Sequence, residues 1–310
     1  MERYVPQTRL QGGIFMNAVQ ISHITKDYGR EKGIFDVSLS VKRGEVYGFL
    51  GPNGAGKTTT IRHLLGFLKP EEGECRIDGM DCFRQASLVQ KNLGYLAGEI
   101  AFPEDFTGRG LLNFLADMKG IRDRNRMKEL TDLLELDPSG KVRKMSKGMK
   151  QKLGIVNAFM GNPGIVILDE PTSGLDPLMQ NRFIELIIEE KKKGTTIFMS
   201  SHLFEEVERT CERTAIIRRG RIAAVENMES LKKKRSRDYI LSLDSKESAD
   251  ALQLPGYTIT NRQGACVTVA VKGDIPRLLA LLSVCPIRDM QIHTQSLEEI
   301  FMHYYGGEDK

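Results

Sequence analysis

Nine residues near the start of the chain, Gly51-Pro52-Asn53-Gly54-Ala55-Gly56-Lys57-Thr58-Thr59, leave few folds open. They satisfy the pattern G-x-x-x-x-G-K-[ST]. They stand between a short apolar run, Val46–Leu50, and a helical pattern from Lys57 to Phe67. Strand, glycine loop, helix is the entry to an α/β fold that grips phosphate. Gly51, Gly54 and Gly56 let backbone N–H groups wrap an anion with no Cβ in the way. Lys57 then reaches the β- and γ-phosphates of a nucleotide, the Thr58 hydroxyl ligates Mg²⁺, and the positive end of the helix points at the same charge. A chance glycine turn has no reason to sit in that strand-to-helix setting.

A second signal lies further on. The apolar run Ile165–Leu168 ends in two adjacent carboxylates, Asp169 and Glu170. Alone this is a strand entering a loop. Beside a phosphate loop, Asp169 can hold Mg²⁺ through water, and Glu170 can orient and polarise an attacking water as general base. Around these motifs strands alternate with helices. The patterns predict strands at Val19–Ile24, Ile34–Val41, Thr195–Ser200, Ala215–Ile217 and Arg221–Ala224. They predict helices at Lys150–Met160, Leu178–Lys193 and Phe204–Cys211, with helical periodicity from Asp105 to about Leu136. Such alternation indicates a mostly parallel sheet covered on both faces. To this point a GTPase, a kinase and a helicase all remain open.

Three further motifs, in fixed order, narrow the field. Lys144-Met145-Ser146-Lys147-Gly148-Met149-Lys150-Gln151 precedes the Asp169 strand, Ser173-Gly174-Leu175-Asp176-Pro177 follows it, and Ser200-Ser201-His202 ends the next strand. From about Val19 to Glu226 this order resembles the nucleotide-binding domain of ABC ATPases. The resemblance implies a P-loop α/β NTPase with an ABC-type antiparallel side sheet and a helical subdomain carrying the signature loop. It also implies site roles. Met145–Met149 corresponds to the signature loop, so Ser146 and Gly148 would cap the ATP held by an opposite subunit; by themselves they read as a helix N-cap. Asp176 corresponds to an aspartate crossing the dimer interface, and otherwise reads as a turn or cap. His202 corresponds to the histidine contacting the γ-phosphate. Tyr28 corresponds to the aromatic on which adenine stacks.

The chain departs from the family pattern twice. Lys147 and Met149 replace Gly and Gln in the signature, a form similar to a subset of prokaryotic export-type members. Where the family has a glutamine after a Gly-Tyr-Leu-Pro run, this chain reads Gly94-Tyr95-Leu96-Ala97-Gly98-Glu99. Gly98 takes the glutamine's place, and Glu99 is the candidate to take over its water and Mg²⁺ contacts; as a bland alternative it is a solvated loop residue.

After Glu226 the character changes. A basic run at Lys232–Arg237 leads to strand patterns at Tyr239–Leu243, Tyr257–Thr260, Ala265–Val271 and Arg288–His293, and a helix at Ile275–Leu282. A last helix is expected at Leu297–Tyr305, with a capping box from Ser296 and Glu299. The expected organisation is residues 1–15 as a disordered extension (or sequence upstream of a true start at Met16), 16–226 as the ATPase domain and 227–310 as a small α+β accessory domain.

Composition sets limits on partners. A formal net charge of +4 with both signs well mixed argues against a dedicated nucleic-acid binder. No apolar run approaches the roughly 20 residues that cross a bilayer. Five widely spaced cysteines suit reduced thiols better than a disulfide framework or a zinc site. The resemblance therefore implies ATP and Mg²⁺ as ligands. It also implies a second ATPase subunit, identical or not, and a transmembrane permease subunit holding the chain at the cytoplasmic face of a membrane. Two rivals of other classes are a soluble ABC-type protein acting on ribosomes or DNA, and a regulator that binds nucleotide without turnover. The first usually carries two ATPase units or coiled-coil insertions, which this chain lacks; the second is opposed by intact Asp169, Glu170 and His202.

Overall fold

In a computed structural model the described residues are 17–234, 237–271, 275–294 and Glu299. The expected extension 1–15, the start at Met16 and the expected helix Leu297–Tyr305, Glu299 apart, lie outside them. The chain divides into two compact units, passing from one to the other at Asn227–Met228.

The first unit holds two sheets. β1 (Asn17–Asp27), β2 (Gly33–Lys42), β4 (Glu72–Ile77) and β5 (Met80–Asp81) form an antiparallel sheet of order β2-β1-β4-β5. β3 (Val46–Leu50), β6 (Leu93–Leu96), β7 (Ile165–Asp169), β8 (Thr196–Ser201), β9 (Arg213–Arg218) and β10 (Arg221–Asn227) form a second sheet of order β10-β9-β3-β8-β7-β6. It is parallel except for the β9–β10 edge. The central strands β3, β7 and β8 are buried at every position. This explains why they read as apolar runs and not as alternating patterns. Tyr47 and Phe49 of β3 meet Phe198 of β8, with ring centroids 6.1 and 5.4 Å apart.

The helix α1 (Lys57–Leu64) touches both sheets, and its Ile61 and Leu64 are fully buried in their common core. It ends before Phe67, where the sequence pattern placed it, because Gly66 turns the chain in the left-handed region and Phe67 donates back to the Arg62 carbonyl. The expected helical stretch 105–136 is two helices, α3 (Gly108–Met118) and α4 (Asn125–Leu133), separated at Gly120. α5 (Lys147–Phe159) starts earlier than its apolar periodicity suggested, since Ser146 caps it by accepting from the Met149 amide at 3.2 Å. α6 (Pro177–Lys192) is capped by Asp176, which accepts from Met179 at 3.0 Å, and α7 (Phe204–Thr210) follows β8. The sequence reading missed α2 (Ala86–Lys91) and β6.

The second unit is an antiparallel sheet of order β12-β13-β11-β14, formed by β11 (Arg237–Leu243), β12 (Thr258–Gln263), β13 (Cys266–Val271) and β14 (Ile287–Thr294). Among the described residues three helices accompany it: α8 (Met228–Lys234), α9 (Lys246–Ala251) and α10 (Ile275–Leu282). Tyr239, Leu241, Val267 and Val269 lie at alternate strand positions and share one core with Leu278 and Leu282 of α10. The basic run expected from Lys232 lies partly on α8, where Lys232 is exposed. All five cysteines are free. Burial pushes the thiols of Cys75, Cys82 and Cys211 up, so these three act as small apolar core residues.

Candidate active site

Adjacency in the parallel sheet builds this site. β3, β8 and β7 are neighbours and run the same way, so their carboxyl ends deliver the glycine loop after Leu50, the Ser200–His202 segment and the Asp169–Glu170 pair to one edge. In open α/β sheets ligands bind in the crevice outside such strand ends.

Lys57 is the electrostatic centre. Its side chain is 6% exposed, and its Nζ donates to the Gly51 carbonyl at 2.5 Å and to the Pro52 carbonyl at 3.2 Å. It also stands 3.0 Å from Oε1 of Glu170, an ion pair whose angles are not those of a hydrogen bond, since that oxygen is buried without a hydrogen-bond partner. The other oxygen, Oε2, is hydrogen-bonded to Nδ1 of His202. One carboxylate therefore bridges the phosphate-loop lysine and the histidine at the end of β8. Glu170 holds this place with a left-handed backbone, φ +49°, which costs a residue bearing a Cβ of the order of 1 kcal/mol and persists only where neighbours enforce it. Its amide donates to the Ser200 carbonyl at 3.2 Å and to the Ser200 hydroxyl at 3.1 Å.

Beside this trio, the Thr58 hydroxyl donates to Oδ2 of Asp169 at 2.8 Å, and the Ser200 hydroxyl donates to Oδ1. Asp169 is 1% exposed, so its carboxylate is fixed by these two hydroxyls from opposite oxygens. Ser200, which the motif order gave no role of its own, holds both segments: its hydroxyl orients the Asp169 carboxylate and its hydroxyl and carbonyl fix the Glu170 backbone amide. The signal was its place at the end of an apolar strand.

Two open cavities meet over these residues. One, of about 500 Å³, runs from Lys57, Thr58 and Thr59 past Asn53, Gly54 and Gly56 to Tyr28, Glu31, Lys32 and Arg219. Gly56 sits at φ +111°, and a Cβ there would stand 2.7 Å from Ile34, so only glycine closes this turn. Ala55 is buried beneath the loop, and its carbonyl accepts from the Gly220 amide at 3.0 Å, which ties the Arg219 turn to the phosphate loop. Tyr28 is 54% exposed, with the Lys26 ammonium 5.6 Å from its ring centroid. Sequence reasoning named neither Arg219 nor Glu31, which reach this cavity through turns distant in the chain.

The other cavity, of about 450 Å³, contains Thr58, Asp169, His202, Gly98, Glu99, Arg62 and Lys147. Glu99 is exposed and lines the same space as Thr58 and Asp169. A Cβ on Gly98 would lie 3.2 Å from Oδ2 of Asp169. A side chain at this point therefore presses on the Asp169 carboxylate unless the loop shifts. Ser146 precedes α5, Gly148 lies in its first turn, and Asp176 precedes α6. Within one chain Ser146 and Asp176 are helix caps.

Known proteins point the same way. The family model described as ABC transporter matches residues 34–173. The chain is 34% identical over 299 residues to the bacitracin transport ATP-binding protein BcrA of Bacillus licheniformis, spanning 93% of this chain and 97% of that one. It is 32% identical over 230 residues to the linearmycin resistance ATP-binding protein LnrL of Bacillus subtilis, spanning 73% and 74%. A solved structure of the ATP-binding subunit of an ABC transporter superimposes with a TM-score of 0.63 at 30% identity, covering 70% of this chain and 92% of that one. With the phosphate loop, paired carboxylates and histidine assembled at one sheet edge, these likenesses establish that the chain belongs to the ABC transporter family, as one of its ATP-binding, ATP-hydrolysing subunits.

Proposed function

We propose that this subunit drives export across the cell membrane from its cytoplasmic side, with Glu170 as the general base of ATP hydrolysis. The observation that carries the site reading is the Glu170 carboxylate held between Lys57 and His202 beside the Thr58–Asp169 pair. The triphosphate lies along the Gly51–Gly56 backbone amides and the N-terminus of α1, with Lys57 on its outer phosphates and adenine against Tyr28. To reach phosphate, the Lys57 ammonium exchanges the Glu170 carboxylate for phosphate oxygens. That exchange frees Oε1 of Glu170 to take a proton from water while His202 keeps Oε2 in place.

The residues present suit Mg²⁺. A hydroxyl and a carboxylate converge within 2.8 Å of each other, hard oxygen donors of the kind Mg²⁺ uses when phosphate and water fill its remaining positions. Thr58 and Asp169 would hold it, with Glu99 as the candidate third group, and when bound it neutralises charge on the phosphates.

Partners follow from what the chain contains. No helix among the described residues is long and apolar enough to cross a membrane. As for an ABC ATP-binding subunit, a separate transmembrane permease carries the substrate path. A second ATPase subunit supplies the signature residues Ser146 and Gly148 and the Asp176 loop to the opposite nucleotide. The bacitracin transport and linearmycin resistance proteins support export as the direction. The Met228–Lys310 unit serves as an accessory domain.

The test is Glu170→Gln, which keeps shape and removes basicity. ATP binding should persist while turnover falls roughly 10²-fold or more. Turnover near wild type would sink the assignment of the base.

A further inference from the structure

The signature helix is tied to the catalytic glutamate inside a single chain. Gln151, on the second turn of α5, is 2% exposed. Its amide nitrogen donates to the Pro171 carbonyl at 2.7 Å and to the Glu170 carbonyl at 3.3 Å. At the start of the same helix, Lys147 donates to the Ser173 hydroxyl at 3.0 Å. Gly148 comes so near the same loop that a Cβ on it would stand 2.8 Å from the Gly174 carbonyl oxygen. Lys147, Gly148 and Gln151 thus face three points of the loop that leaves Glu170.

That loop has an unusual demand placed on it. Glu170 is in the left-handed region, and such a backbone survives only where both sides of the residue are fixed. Ser200 fixes the amide side. On the carbonyl side the Ser173 amide donates to the Glu170 oxygen at 3.1 Å, and Gln151 is the side chain that holds the same oxygen and the next one. Without Gln151 the peptide joining Glu170 to Pro171 loses its only side-chain restraint among the described hydrogen bonds. The carboxylate lies several bonds from that pivot, so a small peptide rotation swings it by the order of 1 Å. A displacement of that size at a reacting group costs of the order of 10²-fold in rate.

We propose that Gln151 is a positioning residue for Glu170. In this role it makes the first turns of the signature helix and the catalytic segment one mechanical piece, so that a shift of α5 changes where the base points. The proposal rests on the reading of Glu170 as general base.

A double-mutant cycle on the full-length protein tests it, using Gln151→Met, which conserves volume and deletes the donor, with Glu170→Gln. Phosphate release is followed in multiple turnover, and in single turnover for the slow variants. Affinity is read with a fluorescent ATP analogue, and folding by thermal melting. Gln151→Met should lower kcat 10- to 100-fold, leave KM for ATP and analogue affinity within about twofold, and have no further effect once Glu170 is glutamine. An unchanged kcat would overturn the proposal. So would an equal loss of kcat in the Glu170→Gln background, because Gln151 would then act by some route other than Glu170. If Gln151→Met does not fold, Ser173→Ala decides through the Lys147 end of the tether: kcat should fall two- to fivefold, with no loss in the Glu170→Gln background, and wild-type turnover overturns the proposal. Failure of the underlying reading looks different, since Glu170→Gln alone would then retain turnover.

Discussion

Glu206 is a buried carboxylic acid close enough to Glu170 to feel its charge, and replacing it with glutamine should make the protein more stable, but only at neutral and alkaline pH. Its side chain is 4% exposed on α7. Burial, the largest influence, pushes its pKa from 4.5 up to about 7; the Ser201 hydroxyl, donating to Oε2 at 2.6 Å, opposes this, and the charge of Glu170 adds to it. The Thr172 hydroxyl lowers the value slightly from nearby without completing a bond to Oε1, which is left without a partner. The sign follows from proton linkage. Between pH 4.5 and about 7 the folded chain keeps a proton that the unfolded chain has released, so stability falls as pH rises through that window and stays lowered above it. At roughly 1.4 kcal/mol per tenfold, the displacement from 4.5 to about 7 corresponds to the order of 3 kcal/mol. Glu206→Gln resembles the protonated acid at every pH. Near pH 4.5 it should melt with the wild type. At pH 8 the transition of the Asn17–Asn227 unit should lie roughly 6–12 °C higher, at about 2–4 °C per kcal/mol for a domain of this size. Scanning calorimetry at both pH values measures it. A Tm difference of the same size and sign at pH 4.5 and pH 8 would refute the reasoning.

Three other outcomes follow from the site. In a Glu170→Gln background, ATP should trap a dimer visible by light scattering, and adding Ser146→Arg should abolish it while leaving the monomer's melting unchanged; a dimer that survives would show that the signature does not face the partner's nucleotide. Glu99→Ala should raise the Mg²⁺ concentration for half-maximal ATPase activity and weaken stimulation by the permease, whereas unchanged values would mark Glu99 as a solvated loop residue. Gly98→Gln restores the family's side chain but places a Cβ 3.2 Å from the Asp169 carboxylate, so it too should raise the Mg²⁺ requirement; a lower requirement in a magnesium titration would show that the loop gives way instead.

What the sequence made legible depends on how local each constraint is. The glycine loop and the Asp169–Glu170 strand end are demands of contiguous backbone, and such demands leave fixed residue types at fixed spacing. The buried parallel strands and the elements of the second unit's sheet could likewise be read from apolar runs and period, whereas the antiparallel side sheet was implied by the family resemblance. Contacts between distant segments left no such trace. Ser200 orients the Asp169 carboxylate and fixes the Glu170 amide because the sheet order sets β8 beside β7, and Gln151 holds the Glu170–Pro171 backbone from α5. Both residues stand inside motifs legible in the sequence, but nothing adjacent to either says which distant backbone it holds. α2, with six residues, and β6, with four, are too short for a period to show, and β6 exists only because β7 pairs with it in parallel.

The order of the parallel sheet also has a consequence for synthesis. Among the described strands β3, which launches the phosphate loop, pairs only with β8 and β9, and Val46 meets Ile197 across 150 intervening positions of chain. At about 5–20 residues per second, roughly 8–30 seconds separate the emergence of β3 from that of its first neighbour. During that interval the ribosome carries an apolar strand with no edge to join, and the glycine loop has no strand ends beside it to complete a site. ATP cannot template the early stages of folding of this chain, then, and the nascent Val46–Leu50 segment is where a holding chaperone should engage.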